Sequence, residues 1–101
     1  MVSSEDLFYS ICSYFERNLI GHGYIIRSFE RKINNKTYTI YELFKYTLNK
    51  PQWKEVKLLV IRNEKLIRIY SFNKKRKKTT IKVDEFDNLE GKLNEILVSL
   101  H

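Results

Sequence analysis

Hydrophobicity alternates twice between residues 53 and 72, on either side of a polar break at Asn63-Glu64. A two-residue side-chain period is the mark of a strand, and two such runs joined by a short break pair antiparallel. Closing the hairpin with a two-residue loop puts Val56, Leu58, Val60, Ile67 and Ile69 on one face. The other face carries Lys57, Leu59, Ile61, Leu66, Arg68, Tyr70 and Phe72. The first is a core face, which apolar partners must cover. The second mixes apolar, aromatic and basic groups.

Two amphipathic helices are available as that cover. At the N-terminus Ser3 or Ser4 caps, Glu5 and Asp6 occupy the first turn, and Leu7, Phe8, Ile11, Cys12, Phe15 and Leu19 recur at helical spacing. Gly21 and Gly23 end this helix. At the C-terminus Asp84 is the expected cap, and Phe86, Leu89, Leu93, Ile96 and Leu100 step by three and four, with Leu97 beside them. Gly91 weakens that helix by roughly 1 kcal/mol relative to Ala.

Residues 24–33 read as a strand, and Asn34-Asn35 as a tight turn, because Asn tolerates positive φ. Residues 36–48 fit two patterns. As a strand they place Tyr38, Ile40, Phe44, Tyr46 and Leu48 on one face. As a helix they align Ile40, Leu43, Phe44, Thr47 and Leu48, with Thr39 and Glu42 as a capping box and Asn49-Lys50-Pro51 as a stop. The expectation is a short strand over 36–39 followed by a short helix. Residues 73–78 (NKKRKK) read as a basic loop and 79–83 as a short strand.

The 101 residues therefore predict one α+β domain over 1–101. Its antiparallel sheet has four or five strands, in the order helix, strand, strand, short helix, strand, strand, strand, helix, with both terminal helices packed on it. The expected core is Phe8, Ile11, Phe15, Leu58, Val60, Ile67, Ile69, Phe86, Leu93 and Ile96.

Charge is segregated along this order. Residues 21–83 hold seventeen basic and four acidic residues, whereas the two ends together hold two basic and eight acidic. The chain has no alanine, 13 Lys, 11 Ile and 8 Asn, a pattern that looks like an AT-rich genome. It also resembles in composition the small proteins of hyperthermophiles and their viruses. Codon bias spreads lysine evenly, however, and this field is concentrated in the strands. Clustered cations release the counterions condensed on phosphate, so the expected partner is nucleic acid, DNA or RNA. The expected contacts are Lys74, Lys75, Arg76, Lys77 and Lys78 in the basic loop, with Lys57, Arg68 and Lys82 on the adjoining strands. Arg27, Phe29 and Arg31 alternate on the first strand and offer the same mix of cation and ring.

Other chemistries find few residues. Cys12 is the sole cysteine and lies on an apolar helix face, so it reads as a small buried hydrophobe. The histidines are His22, between two glycines, and the terminal His101, and three glycines make no phosphate loop. No cofactor and no metal site are expected, and an enzyme is the less favoured reading. No apolar run approaches the ~18 residues of a membrane span and nothing at the N-terminus reads as a signal peptide, so a cytoplasmic protein with no membrane partner is expected.

Glu55-Val56-Lys57 opens a strand, and the chain begins helix then strand. That order resembles the restriction-endonuclease-like nucleases, whose site combines an acid with Glu-x-Lys on a strand. The resemblance implies Mg²⁺ held by carboxylates and a lysine that assists the attacking water. Glu55 and Lys57 match Glu-x-Lys, and Glu16 matches a helix acid. The family's central Asp has no counterpart, since the Asp residues are 6, 84 and 87, and Glu42 or Glu30 must substitute. A third expectation is a protein-interaction or structural module, homodimeric through exposed strand edges or the half-apolar hairpin face.

Overall fold

The computed structural model describes residues 3–19, 21–50, 53–72, 76–84 and 87–100. The chain runs α1 (Ser4–Leu19), β1 (Ile25–Ile33), β2 (Lys36–Tyr46), β3 (Lys54–Arg62), β4 (Leu66–Phe72), β5 (Arg76–Lys82) and α2 (Leu89–Ser99). The five strands form an antiparallel meander in sequence order, with both helices on one face, an α+β fold with terminal helices.

Local chemistry sets most of the elements. Ser3 caps α1, its Oγ accepting from the Asp6 amide at 3.1 Å. The six apolar residues of the predicted stripe, Leu7 to Leu19, are all buried. Gly21 and Gly23, at φ 84° and 81°, turn the chain into β1. Asn34 and Asn35, both left-handed at φ 51° and 64°, close the β1–β2 hairpin as a two-residue turn of the type that matches strand twist. At the β3–β4 turn the Asn63 carboxamide oxygen accepts from the amides of Lys65 and Leu66, both at 2.9 Å.

The core lies between the helices and the inner face of β2–β5. Tyr41, Leu43, Leu58, Val60, Ile67, Ile69 and Ile81 pack there against the α1 stripe and against Leu93, Ile96, Leu97 and Leu100. Every expected core residue is buried except Phe86, which lies outside the described residues. β3 pairs with β4 with Arg62 opposite Ile67 and the Asn63 amide donating to the Leu66 carbonyl at 3.1 Å, so the two-residue turn is Glu64-Lys65 and not Asn63-Glu64, which moves each pairing by two positions. A shift of two preserves parity, so Leu58, Val60, Ile67 and Ile69 remain on the core face.

Four expectations are corrected. Residues 40–46 are strand, not helix: β2 is continuous, and its Ile40 to Phe44 are buried in succession. A segment sandwiched between a helical layer and side chains of the opposite face satisfies both faces as a strand, and that burial overrides helical spacing. The capping box does not form. Thr39 Oγ1 accepts from Arg62 Nη2 at 2.9 Å, while Arg62 Nη1 donates to Ser4 Oγ at 2.9 Å, tying α1 to the sheet. Secondly, a bulge in the β2–β3 pairing makes Lys57 the extra residue and sets Val56 opposite Phe44, away from Leu58. Thirdly, Arg76, Lys77 and Lys78 belong to β5 and not to a loop, because they pair with Phe72, Ser71 and Tyr70. Finally, Asp84 does not cap the last helix, which starts at Leu89 after a left-handed Asn88.

Candidate functional site

The face of the sheet turned away from the helices carries the charge and rings that the sequence segregates. Its register fixes two rows across the strands. One row is Arg27, Glu42, Leu59, Tyr70 and Lys78, and the next is Phe29, Ile40, Ile61, Arg68 and Thr80.

On the β1–β2 side long side chains close over one another. The Arg27 guanidinium lies 4.6 Å from the centre of the Phe29 ring and Arg31 lies 5.9 Å from it. Glu42 is buried, and its Oε1 accepts from Lys54 Nζ at 2.9 Å and stands 3.4 Å from Arg27 Nη2. Ile40 and Phe44 are also buried here although no helix covers them. This half of the face is a second, small core with a neutralised carboxylate at its centre.

The β3–β5 side is open. Leu59 and Ile61 form the floor of a depression of about 480 Å³, bounded by Tyr70, Ser71 and Phe72 of β4 and by Arg76, Lys77 and Lys78 of β5. The Tyr70 and Phe72 rings stand nearly parallel, 6.4 Å apart at 16°. The Arg76 guanidinium lies 5.9 Å from the Phe72 ring centre. β4 and β5 contain no carboxylate.

The expected contacts divide between the two faces. Arg68, Arg76 and Lys78 are exposed on the helix-free face, and Lys82 is in register with Leu66 at the far end of it. Lys77 pairs with Ser71, which pairs with the core residue Leu58, so its side chain leaves on the helix side. Lys57 sits at the bulge with its ammonium 2.7 Å from Glu55 Oε1. Lys74 and Lys75 lie outside the described residues. The engagement of Glu42 by Arg27 and Lys54, fifteen and twelve positions away, has no sequence signal, because it depends on strand register.

The carboxylates of the nuclease reading are dispersed. Glu16 is on α1, Glu42 holds its two cations on the opposite face, and Glu55 is in register with Lys45. Among the described residues no three His, Cys, Asp or Glu side chains gather as a metal site. Burial pushes the Cys12 thiol well above its usual range, and the nearby Glu16 adds to this. Burial, with Glu16 next in importance, does the same to the Tyr41 phenol. His22 is exposed in the turn after α1.

Compared with known protein families, with curated proteins and with solved structures, the chain matches none.

Proposed function

We propose that this chain is a small basic nucleic-acid-binding protein that holds phosphates through the helix-free face of its sheet, largely without reading sequence. The observation that supports the reading is the gathering of Arg68, Arg76 and Lys78 on one face of two strands that carry no acid. The helical layer is acidic, with Glu5, Asp6 and Glu16 on α1 and Glu90 and Glu95 on α2, so a polyanion is steered to the opposite side. Among the described residues neither helix is basic enough to enter a major groove, and base-edge discrimination is accordingly weak.

The test is binding titrated against salt, using single- and double-stranded DNA and RNA with and without Mg²⁺. Each neutralised phosphate contributes roughly 0.7 to 0.9 to the slope of log K against log salt. Replacing Arg68, Arg76 and Lys78 together with Ala flattens the slope by roughly two to three units on that relation. No binding by the parent protein at low salt refutes the reading and favours an interaction module. Strand cleavage on adding Mg²⁺ favours the Glu55 and Lys57 alternative.

A further inference from the structure

We infer that the depression on β3–β5 is a stacking site for unpaired bases, so that the nucleic acid held on this face is single-stranded. The inference rests on the nucleic-acid reading above and narrows it.

Phosphate contact alone needs cations at reach and no cavity. Here the cations rim a concave apolar surface. Its about 480 Å³ lies within the ~300–1,000 Å³ usual for small-ligand sites. Its floor is aliphatic, Leu59 and Ile61, and its flank is two near-parallel rings, Tyr70 and Phe72. None of these four side chains is fully buried, although all face away from the helices. A π-face laid on Tyr70 or Phe72 recovers the apolar area that water now covers.

A duplex cannot use this surface. Its base faces are stacked inside, and it presents phosphates and groove edges, which leave Leu59 and Ile61 desolvated against charge with nothing gained. A single strand brings both complements at once. An unstacked base meets the floor and rings, and its flanking phosphates meet the rim of Arg76 and Lys78, with Arg68 one row further along β4. Arg76 adds directional recognition, because a guanidinium can fork onto phosphate while its own plane lies beside the Phe72 ring. Charge complementarity also favours this occupant over a second copy of the chain, which would bring its own row of cations to the same place.

The experiment compares three ligands of equal length at one salt concentration, the two single strands also equal in charge and the duplex carrying twice as many phosphates. They are a thymine or uracil single strand, the same strand with abasic sites in place of bases, and a duplex. Stacking is worth roughly 5- to 150-fold per base lost. The parent protein is expected to bind the base-bearing DNA or RNA strand at least fivefold more tightly than the abasic strand and than the duplex. Phe72→Leu and Tyr70→Leu keep apolar volume and remove the π-face. Each is expected to lower affinity for the base-bearing strand while leaving the abasic strand unchanged, with the fold checked by circular dichroism. Equal binding of base-bearing and abasic strands overturns the stacking site and leaves the phosphate reading intact. Binding of no ligand overturns both. A sedimenting dimer in the free protein that dissociates on Phe72→Leu shows the face covered by a second copy, which also overturns the inference.

Discussion

Lys77 and Lys78 are chemically identical neighbours, yet β5 sends them to opposite faces. Lys78 pairs with Tyr70 on the helix-free side, and Lys77 pairs with Ser71 on the side of the helices. If phosphates bind the helix-free face, Lys78→Ala removes a contact and Lys77→Ala does not. On the counterion relation one single-strand contact contributes about 0.7 to the salt slope. Between 50 and 200 mM salt the parent therefore loses about 2.6-fold more affinity than the Lys78→Ala variant. Taking a contact as worth nothing at 1 M salt, the variant binds about fivefold more weakly than the parent at 0.1 M. Neither substitution should disturb the fold, because both side chains are exposed, and surface changes usually stay within ~0.5 kcal/mol. Fluorescence anisotropy of a labelled oligonucleotide, titrated with each variant at four salt concentrations, reads both quantities. Equal effects of the two substitutions would mean that the cations act as a diffuse cloud. A larger effect of Lys77→Ala would place the site on the other side of the sheet.

Three further outcomes test the structure itself. Gly91 lies in the first turn of α2, where an added Cβ falls 2.5 to 2.8 Å from side-chain atoms of Asn88. That side chain is exposed and forms no cap, so it swings aside; Gly91→Ala is expected to gain up to about 1 kcal/mol in denaturant unfolding, and a loss would show Asn88 to be held. Asn35→Ala keeps the Cβ but loses the short polar side chain that eases Asn into a left-handed φ, and should cost up to about 1 kcal/mol, while Asn35→Gly, without a Cβ, costs none; equal stability of the two variants contradicts the hairpin turn. Cys12 should resist an aromatic disulfide reagent at pH 8 until the protein unfolds. Because burial raises the folded thiol above its unfolded value of about 8.5, its contribution to stability is complete below that pH and is lost as pH rises beyond it; stability between pH 8 and 10 should fall more steeply in the parent than in Cys12→Ala.

What the sequence determined alone is what depends on neighbours along the chain. Ser3, the stripe from Leu7 to Leu19, and the glycines after it specify α1, since cap, periodicity and stop all act within a few residues. Asn34-Asn35 specifies a turn because φ is a property of the residue. The two faces of the β3–β4 hairpin follow from alternation, and they survive the difference in loop closure because only the parity of the register matters. The segregated charge, and with it the expected partner, needs only the order of charged residues along the chain. Tertiary structure decided everything that depends on what lies across the sheet. Residues 40–46 carry a helical spacing and a capping signal, but a strand buries both of its faces there, and that non-local gain exceeds a local preference worth tenths of a kilocalorie per residue. Arg76 to Lys78 look like a solvated loop in sequence, and pairing with β4 makes them a strand that divides its own cations between two faces. The depression over Leu59 and Ile61 is divided between the two: alternation along the hairpin already puts Leu59, Ile61, Tyr70 and Phe72 on one face, and only the pairing of β5 with β4 brings Arg76 and Lys78 to its edge.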